Sequence, residues 1–178
     1  MPILIDLREL RLSEESLQVE GEFTNSDLVI DSELVHLESP VDSRIMVSLQ
    51  GDCVRVTGHL RCTLSMTCCR CSKPVYASVD KDFAVDYWPD LVTKEGEELR
   101  LSYNDLDVGF YQGDDFDLSA VISEQVVLEV PMKPVCRESC KGLCDQCGAD
   151  LELEPCSCDR NRLDPRLAAL AEYRKKLN

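Results

Sequence analysis

Several features are absent from this 178-residue sequence, and each absence excludes a class of protein. No apolar run approaches the ~18 residues that a membrane-spanning helix needs. Residues 1–10 contain Asp6 and Glu9 and no basic leader, so they lack the pattern of a secretory signal peptide. The sequence also lacks a phosphate-binding glycine loop and a nucleophile motif, and it has only two histidines. We therefore expect a cytoplasmic protein that neither contacts a membrane nor acts as an enzyme.

Cysteine, by contrast, is abundant, with eleven residues in the chain. Disulfides do not persist in a reducing cytosol, so cysteines at this density usually serve metal or redox chemistry. An odd number of cysteines also cannot pair completely. The compartment and the cysteine count together predict bound metal.

The charge of the chain is strongly negative and unevenly distributed. The net charge is −15, whereas residues 160–178 carry six basic against two acidic residues, a net +4, which leaves −19 on the first 159 residues. An acidic surface of this size repels phosphate and suits a basic protein partner, although it also serves simply to keep a protein in solution. The basic C-terminal residues would be free to contact RNA.

Apolar residues alternate with polar ones over two long stretches, as in half-buried antiparallel strands. The alternation runs from Ile45 to Met66 and resumes from Val75 to Tyr87. The intervening residues 68–74 would form the tip of a hairpin. Gly58, in the middle of the first stretch, suggests a bulge or a bend.

One helix is predicted near residues 117–128. Asp117 could cap its first turn, and Pro131 and Pro134 would end it. The apolar residues that share one face of this helix are Leu118, Val121, Ile122 and Val126. Weaker patterns indicate short strands within residues 14–38, a strand at Leu99–Tyr103 and a last short helix at Pro165–Lys176.

These elements predict a mainly β (α+β) fold, an antiparallel sheet with one packing helix plus a zinc-stapled C-terminal segment. Residues 1–134 would form the β domain. Residues 135–178 would form a cysteine-rich segment followed by the short basic helix. Residues 135–159 hold six cysteines and little apolar material, so bound metal rather than a hydrophobic core would have to fold them.

The most specific metal signal lies in Cys144–Gly148. Two thiolates two residues apart can bind one ion, and the glycine after them permits the left-handed turn that this geometry requires. Cys156 and Cys158 would supply the other two ligands of a tetrahedral four-sulfur zinc site. Free thiols or an iron–sulfur cluster are the alternatives.

Four more paired cysteines remain, namely Cys68, Cys71, Cys136 and Cys140. Together they would complete a second structural zinc site and attach the C-terminal segment to the hairpin tip. The alternative is a single zinc, with Cys136 and Cys140 free and Cys68 and Cys71 forming a separate pair. A Cys-x-x-Cys pair also occurs in thiol oxidoreductases, but there it usually begins a helix rather than occupying a hairpin tip.

The remaining three cysteines fit neither ligand set. Cys53 and Cys69 belong to no pair. Cys62 is in phase with the apolar face of its strand, so it is predicted to be a small core residue.

The sequence resembles a known bacterial family over residues 40–170. The segments that carry the resemblance are Cys68-x-Arg70-Cys71-x-x-Pro74, Asp117-Leu118, Glu124-Gln125, Leu128-x-x-Pro131-x-x-Pro134, Cys140-Lys141-Gly142-Leu143-Cys144-x-x-Cys147-Gly148, Cys156-x-Cys158 and Asp164-Pro165-Arg166. The family is the YceD-like family, called the large ribosomal RNA subunit accumulation proteins. The resemblance implies a role in 23S ribosomal RNA accumulation and large-subunit assembly, without established catalytic residues.

The resemblance and the charge distribution together suggest a division of roles. The acidic body would bind a basic ribosomal protein, and basic side chains would contact large-subunit ribosomal RNA. The candidate RNA contacts are Arg70, Lys73, Arg160, Arg162, Arg166, Lys175 and Lys176. Family genes commonly neighbour genes of lipid synthesis, so an alternative is an acidic adaptor that binds a lipid-synthesis enzyme and couples it to ribosome production.

Overall fold

A computed structural model describes residues 2–13, 15–30, 35–90 and 108–158, together with Arg166 and Tyr173. The described part is mainly β, as predicted. Its elements are, in chain order, β1 (Leu4–Asp6), α1 (Leu7–Ser13), β2 (Leu17–Phe23), β3 (Val35–Leu37), β4 (Val41–Gln50), β5 (Cys53–Thr67), β6 (Pro74–Pro89), β7 (Val108–Tyr111), β8 (Asp115–Asp117) and α2 (Leu118–Leu128). Neither helix in these ranges has the length and apolar character needed to cross a membrane.

The long hairpin predicted from the alternation forms the centre of the sheet. Strands β5 and β6 pair antiparallel without interruption from Val54 opposite Tyr87 to Thr67 opposite Pro74. The alternating residues of β5 are buried on one side, and polar residues occupy the other side. The hairpin therefore places residues 68–73 at the tip of two strands that pair along their whole length.

The bulge predicted at Gly58 was wrong. Gly58 pairs one-to-one with Phe83, and its two neighbours pair in the same register. A Cβ atom on Gly58 would lie 2.8 Å from the carbonyl oxygen of Arg44 and 3.0 Å from Cε1 of Phe83. Glycine is needed here because the backbone of β4 and the Phe83 ring already occupy the space of a side chain.

The other strands extend this hairpin into a six-stranded sheet. The strand order is β2-β4-β5-β6-β7, and β3 pairs with β5 beyond the end of β4. Strand β7 runs parallel to β6 and is the exception in a sheet that is otherwise antiparallel, in agreement with the mainly antiparallel sheet that the sequence predicts. A parallel neighbour needs a long crossover connection, and residues 90–107 separate these two strands. Strands β1 and β8 form a separate two-stranded pair.

Helix α2 covers the apolar side of the sheet. The four residues predicted to face the core are at most 2% exposed, and they belong to the same apolar cluster as Val54, Val56 and Leu64 of β5. A second helix, α1, was not predicted. Its seven residues bury only Leu7 and Leu10, too few positions to show a helical period in the sequence.

Asp117 caps α2 as the sequence predicts. Its Oδ1 accepts hydrogen bonds from the backbone N–H groups of Ser119 at 2.9 Å and Ala120 at 3.2 Å. We expect Asp117→Ala to lower the free energy of unfolding by about 1 kcal/mol, because both donors would lose their acceptor. Urea unfolding followed by circular dichroism measures this loss. Asp117→Asn retains an acceptor and is the matched control; equal losses in both variants would contradict the capping role.

Two sequence predictions fall wholly or mainly outside the described residues, and a third is not tested. The strand at Leu99–Tyr103 lies outside them. The helix at Pro165–Lys176 also lies outside them except for Arg166 and Tyr173, whose side chains are exposed. The division between residues 1–134 and residues 135–178 stays a prediction.

Candidate metal centres

The tip of the β5–β6 hairpin folds into a tight turn, here called a knuckle, that carries Cys68 and Cys71. The backbone N–H of Cys68 donates to the carbonyl of Lys73 at 2.8 Å, and the N–H of Ser72 donates to the carbonyl of Cys68 at 3.0 Å. Ser72 has a φ of 58°, in the left-handed region that favours glycine. This tight turn directs the thiols of Cys68 and Cys71 toward each other.

Residues 144–149 repeat the same backbone frame. The N–H of Cys144 donates to the carbonyl of Ala149 at 2.8 Å, and the N–H of Gly148 donates to the carbonyl of Cys144 at 2.9 Å. Gly148 has a φ of 73° and takes the place of Ser72. Gly148 indicates the left-handed turn of the second knuckle in the sequence. Ser72, at the corresponding position of the first knuckle, gives no such indication.

The first cluster joins the hairpin tip to the C-terminal segment. The Sγ atoms of Cys68, Cys71, Cys136 and Cys140 lie within 4.8 Å of one another. Those of Cys71 and Cys136 are 3.6 Å apart. Four sulfurs around one tetrahedral zinc, with zinc–sulfur bonds of about 2.3 Å, are separated by about 3.8 Å. The arrangement therefore has the size of a four-thiolate metal site.

The second cluster consists of Cys144, Cys147, Cys156 and Cys158, whose Sγ atoms also lie within 4.8 Å of one another. The structure thus brings the eight predicted ligands together in the two predicted sets. The single-zinc alternative, with Cys136 and Cys140 free, does not fit this arrangement. Each cluster could hold one metal ion.

The electrostatics of the first cluster favour a bound cation. Backbone N–H groups of Arg70 and Cys136 stabilise the thiolate of Cys68 and lower its pKa to about 6. Burial and the three neighbouring sulfurs raise the pKa of Cys136 to about 12. Four thiolates cannot all ionise side by side without compensating positive charge, which a divalent metal ion supplies.

The cysteines outside the predicted sets also lie outside the clusters. Cys62 is 3% exposed on the apolar side of β5, as predicted for a core residue, and burial raises its pKa. Cys53 is buried and Cys69 is exposed. The Cys68–Cys71 pair shares its cluster with two further thiols, an arrangement typical of metal ligation rather than of a redox pair.

The two clusters are connected through the backbone. The N–H of Leu143, just before the second knuckle, donates to the carbonyl of Arg70 in the first knuckle at 2.8 Å. Gly142 has a φ of 78°, and a Cβ atom there would lie 2.8 Å from the same Arg70 oxygen. Leu143 also forms an isolated β-bridge with Asp150. The residues next to the second knuckle are therefore in direct backbone contact with the first knuckle.

Arg70 and Lys73, predicted as RNA contacts, take part in this junction. The Nη1 atom of Arg70 donates to the carbonyls of Glu138 at 3.0 Å and Cys140 at 2.9 Å. Lys73 forms a 2.8 Å ion pair with Asp150, which lowers the pKa of the Asp150 carboxyl and raises that of the Lys73 ammonium group. Both basic side chains thus hold the C-terminal segment against the hairpin tip.

The other candidate RNA contacts lie in residues 160–176. Of these only Arg166 is described, and its side chain is exposed. Arg160, Arg162, Lys175 and Lys176 lie outside the described residues. RNA contact by any of the seven residues stays a prediction.

Sequence analysis missed the acidic partners of this junction. Asp150 pairs with Lys73, and Glu152 pairs with Arg137 and accepts a hydrogen bond from the N–H of Lys141 at 3.1 Å. The chain has 34 acidic residues, so nothing in their local sequence distinguishes these two. Only the folded arrangement identifies them.

Comparisons with known proteins identify relatives of this chain. A protein of Mycobacterium tuberculosis is 30% identical over 174 residues, which cover 96% of this chain and 81% of the relative. The chloroplastic large ribosomal RNA subunit accumulation protein YCED homolog 1 of Arabidopsis thaliana is 24% identical over 78% of this chain and 50% of its own length. The homologue of the same name in Zea mays is 28% identical over 72% of this chain and 52% of its own length.

No solved structure matches the chain significantly. The profile of the family described as large ribosomal RNA subunit accumulation protein YceD matches residues 56–173, a range that begins in β5 and includes all eight clustered cysteines. The chain therefore belongs to the YceD family of large ribosomal RNA subunit accumulation proteins.

Proposed function

We propose that this protein is a non-enzymatic ribosome biogenesis factor that supports 23S ribosomal RNA accumulation and assembly of the large subunit. The observation that carries the proposal is the family match over residues 56–173. That range contains most of the hairpin, α2 and both cysteine clusters. The plant relatives are named large ribosomal RNA subunit accumulation proteins, which supports the proposal.

The metal in both clusters is proposed to be structural Zn²⁺. Four thiolates form a soft, tetrahedral ligand set that suits zinc and leaves no coordination position open for water or substrate. A closed site of this kind contributes folding energy rather than catalysis. This chemistry supports a role for the clusters as scaffolding within a protein that is not an enzyme.

The proposed partners follow from the charge distribution. The first 159 residues carry a net charge of −19, which favours a basic ribosomal protein over direct contact with phosphates. The basic C-terminal residues Arg160, Arg162, Arg166, Lys175 and Lys176 are proposed to contact large-subunit RNA. Arg70 and Lys73 already form contacts within the protein, which leaves the C-terminal residues as the main RNA contacts.

Sucrose-gradient sedimentation of cell lysate tests this function. We expect the tagged chain to travel with immature large-subunit particles and not with small-subunit particles. A variant with all five C-terminal basic residues changed to glutamine should shift toward the top of the gradient, because lost phosphate contacts weaken RNA binding. A matched control changes five exposed basic residues elsewhere in the chain, Arg8, Arg11, Arg55, Lys81 and Lys133, to glutamine and should leave the sedimentation unchanged.

Failure of the chain to sediment with large-subunit particles would point to a different function. If the unmodified chain stays at the top of the gradient in a stable complex with a soluble enzyme, the assembly role is contradicted. The adaptor alternative would then replace it.

A further inference from the structure

The face of the sheet opposite α2 forms a continuous trough. Three depressions of about 400, 520 and 480 Å³ lie side by side on this face. The first two share Arg44 and His59, and the last two share Glu22, Asp42 and Arg61. The trough runs along β5 from Thr57 to Thr63, a length of about 20 Å at roughly 3.4 Å per residue.

One end of the trough is apolar. Met46 of β4, Thr57 of β5 and Ala84 of β6 are neighbours in the strand register, and Met46 is 45% exposed. Small side chains at two of these three positions leave a shallow depression next to the methionine. A flexible, polarisable methionine beside open space is suited to packing against an incoming apolar side chain.

The other end of the trough has an excess of negative charge. Its lining has four carboxylates but only two arginines, and both arginines are already paired within the sheet. Arg44 lies 2.8 Å from Glu20, and Arg61 lies 3.0 Å from Asp80. Uncompensated carboxylates therefore remain on this face.

Glu22 and Asp42 are the clearest of these. They lie directly opposite each other on β2 and β4, and neither forms an ion pair with any described residue. Like charges at directly opposed positions destabilise a sheet. Neutralising one of them would therefore be favourable, and an incoming lysine or arginine would do so.

We propose that this trough binds a lysine- and arginine-rich segment of a partner protein, with an apolar residue against Met46 and basic residues against Glu22 and Asp42. Charge complementarity selects a basic protein over RNA, because the trough repels phosphate. The inference rests on the proposed function and specifies it: the surface is where the chain holds a basic protein of the large ribosomal subunit.

Fluorescence anisotropy tests the proposal. Each protein of the large ribosomal subunit is purified individually and free of RNA, and its binding to the full-length, metal-loaded chain is measured. We expect at least one of them to bind. The double variant Glu22→Gln, Asp42→Asn should bind that protein about tenfold more weakly, and Ala84→Arg, which fills the apolar end and adds positive charge, about 100-fold more weakly. The double variant should unfold at the same or a higher temperature, since it removes a repulsion.

A matched control changes the net charge equally elsewhere. Glu138 and Glu154 are exposed in the cysteine-rich segment, and Glu138→Gln, Glu154→Gln should leave the affinity within about twofold of the unmodified chain. If both double variants weakened binding equally, the loss of affinity would depend only on the net charge of the chain, and the proposed trough would be overturned. Unchanged binding by the trough variants would also overturn it.

Two further outcomes separate the trough from the proposed function. If no large-subunit protein binds while the chain still sediments with large-subunit particles, the trough is overturned and the function stands. A photo-crosslinker at Thr57 that labels ribosomal RNA would likewise overturn a protein-binding trough. If neither binding nor co-sedimentation occurs, both proposals fail together.

Discussion

Replacing Cys68 with serine is expected to release one metal ion and to detach the C-terminal segment from the hairpin tip. Cys68 supplies a ligand of the first cluster, and the N–H of Cys136 approaches its Sγ at 3.4 Å. A structural zinc site contributes about 10–16 kcal/mol of binding free energy in small zinc-finger peptides, so loss of one ligand should lower the free energy of unfolding by at least about 3 kcal/mol. Native mass spectrometry should find two ions in the unmodified protein and one in the variant.

Limited proteolysis provides a second measurement of the same change. Arg137 and Lys141 lie beside the first cluster, so cleavage after them should become faster when the cluster is lost. Cys69→Ser is the matched control, because Cys69 is the adjacent residue, is exposed and lies outside both clusters. Two ions in the Cys68 variant, or one ion in the Cys69 variant, would refute the assignment of the first cluster.

Substituting alanine for Gly142 is expected to loosen the junction between the two knuckles. The alanine Cβ would lie 2.8 Å from the carbonyl oxygen of Arg70, at a residue with a φ of 78°. Left-handed backbone costs a non-glycine residue about 1–2 kcal/mol, and the contact with the Arg70 oxygen adds to this cost. We expect a total loss of about 2–4 kcal/mol and faster cleavage after Lys141.

Gly148→Ala separates the two causes. Gly148 has a φ of 73°, close to that of Gly142, but open space surrounds the position of its Cβ. Its substitution should therefore cost only the backbone strain of about 1–2 kcal/mol. Chemical unfolding of both metal-loaded variants measures the difference. Equal losses would show that the close approach to Arg70 contributes nothing to stability.

The hairpin and α2 could be predicted because their patterns are local and long. Thirteen residues of alternating polarity in β5 indicate a half-buried strand and fit no other simple structure. Helix α2 combines a cap at Asp117 with four buried residues on one face. The four ligand pairs could also be predicted, because each pair lies within a short stretch of chain. The assignment of Cys68, Cys71, Cys136 and Cys140 to one set followed only from their being the pairs left over.

The remainder depends on contacts between distant residues. Strand β7 runs parallel to β6, and nothing in its own four residues indicates that direction. From the sequence alone, Arg70 and Lys73 are expected to be solvent-exposed cations at a hairpin tip. Their partners in the structure, Cys140 and Asp150, lie about 70 residues further along the chain. The bulge expected at Gly58 failed for the same reason, because the neighbours that exclude a side chain there, the Arg44 carbonyl and the Phe83 ring, belong to other strands.

The most direct test of the assembly role is the amount of 23S relative to 16S ribosomal RNA in cells depleted of this protein. We predict that depletion lowers 23S RNA selectively and that the unmodified chain and Cys69→Ser restore it, whereas Cys68→Ser does not. An unchanged ratio of the two RNAs after depletion would contradict the assembly role. Full restoration by Cys68→Ser would contradict the dependence of that role on the first metal centre.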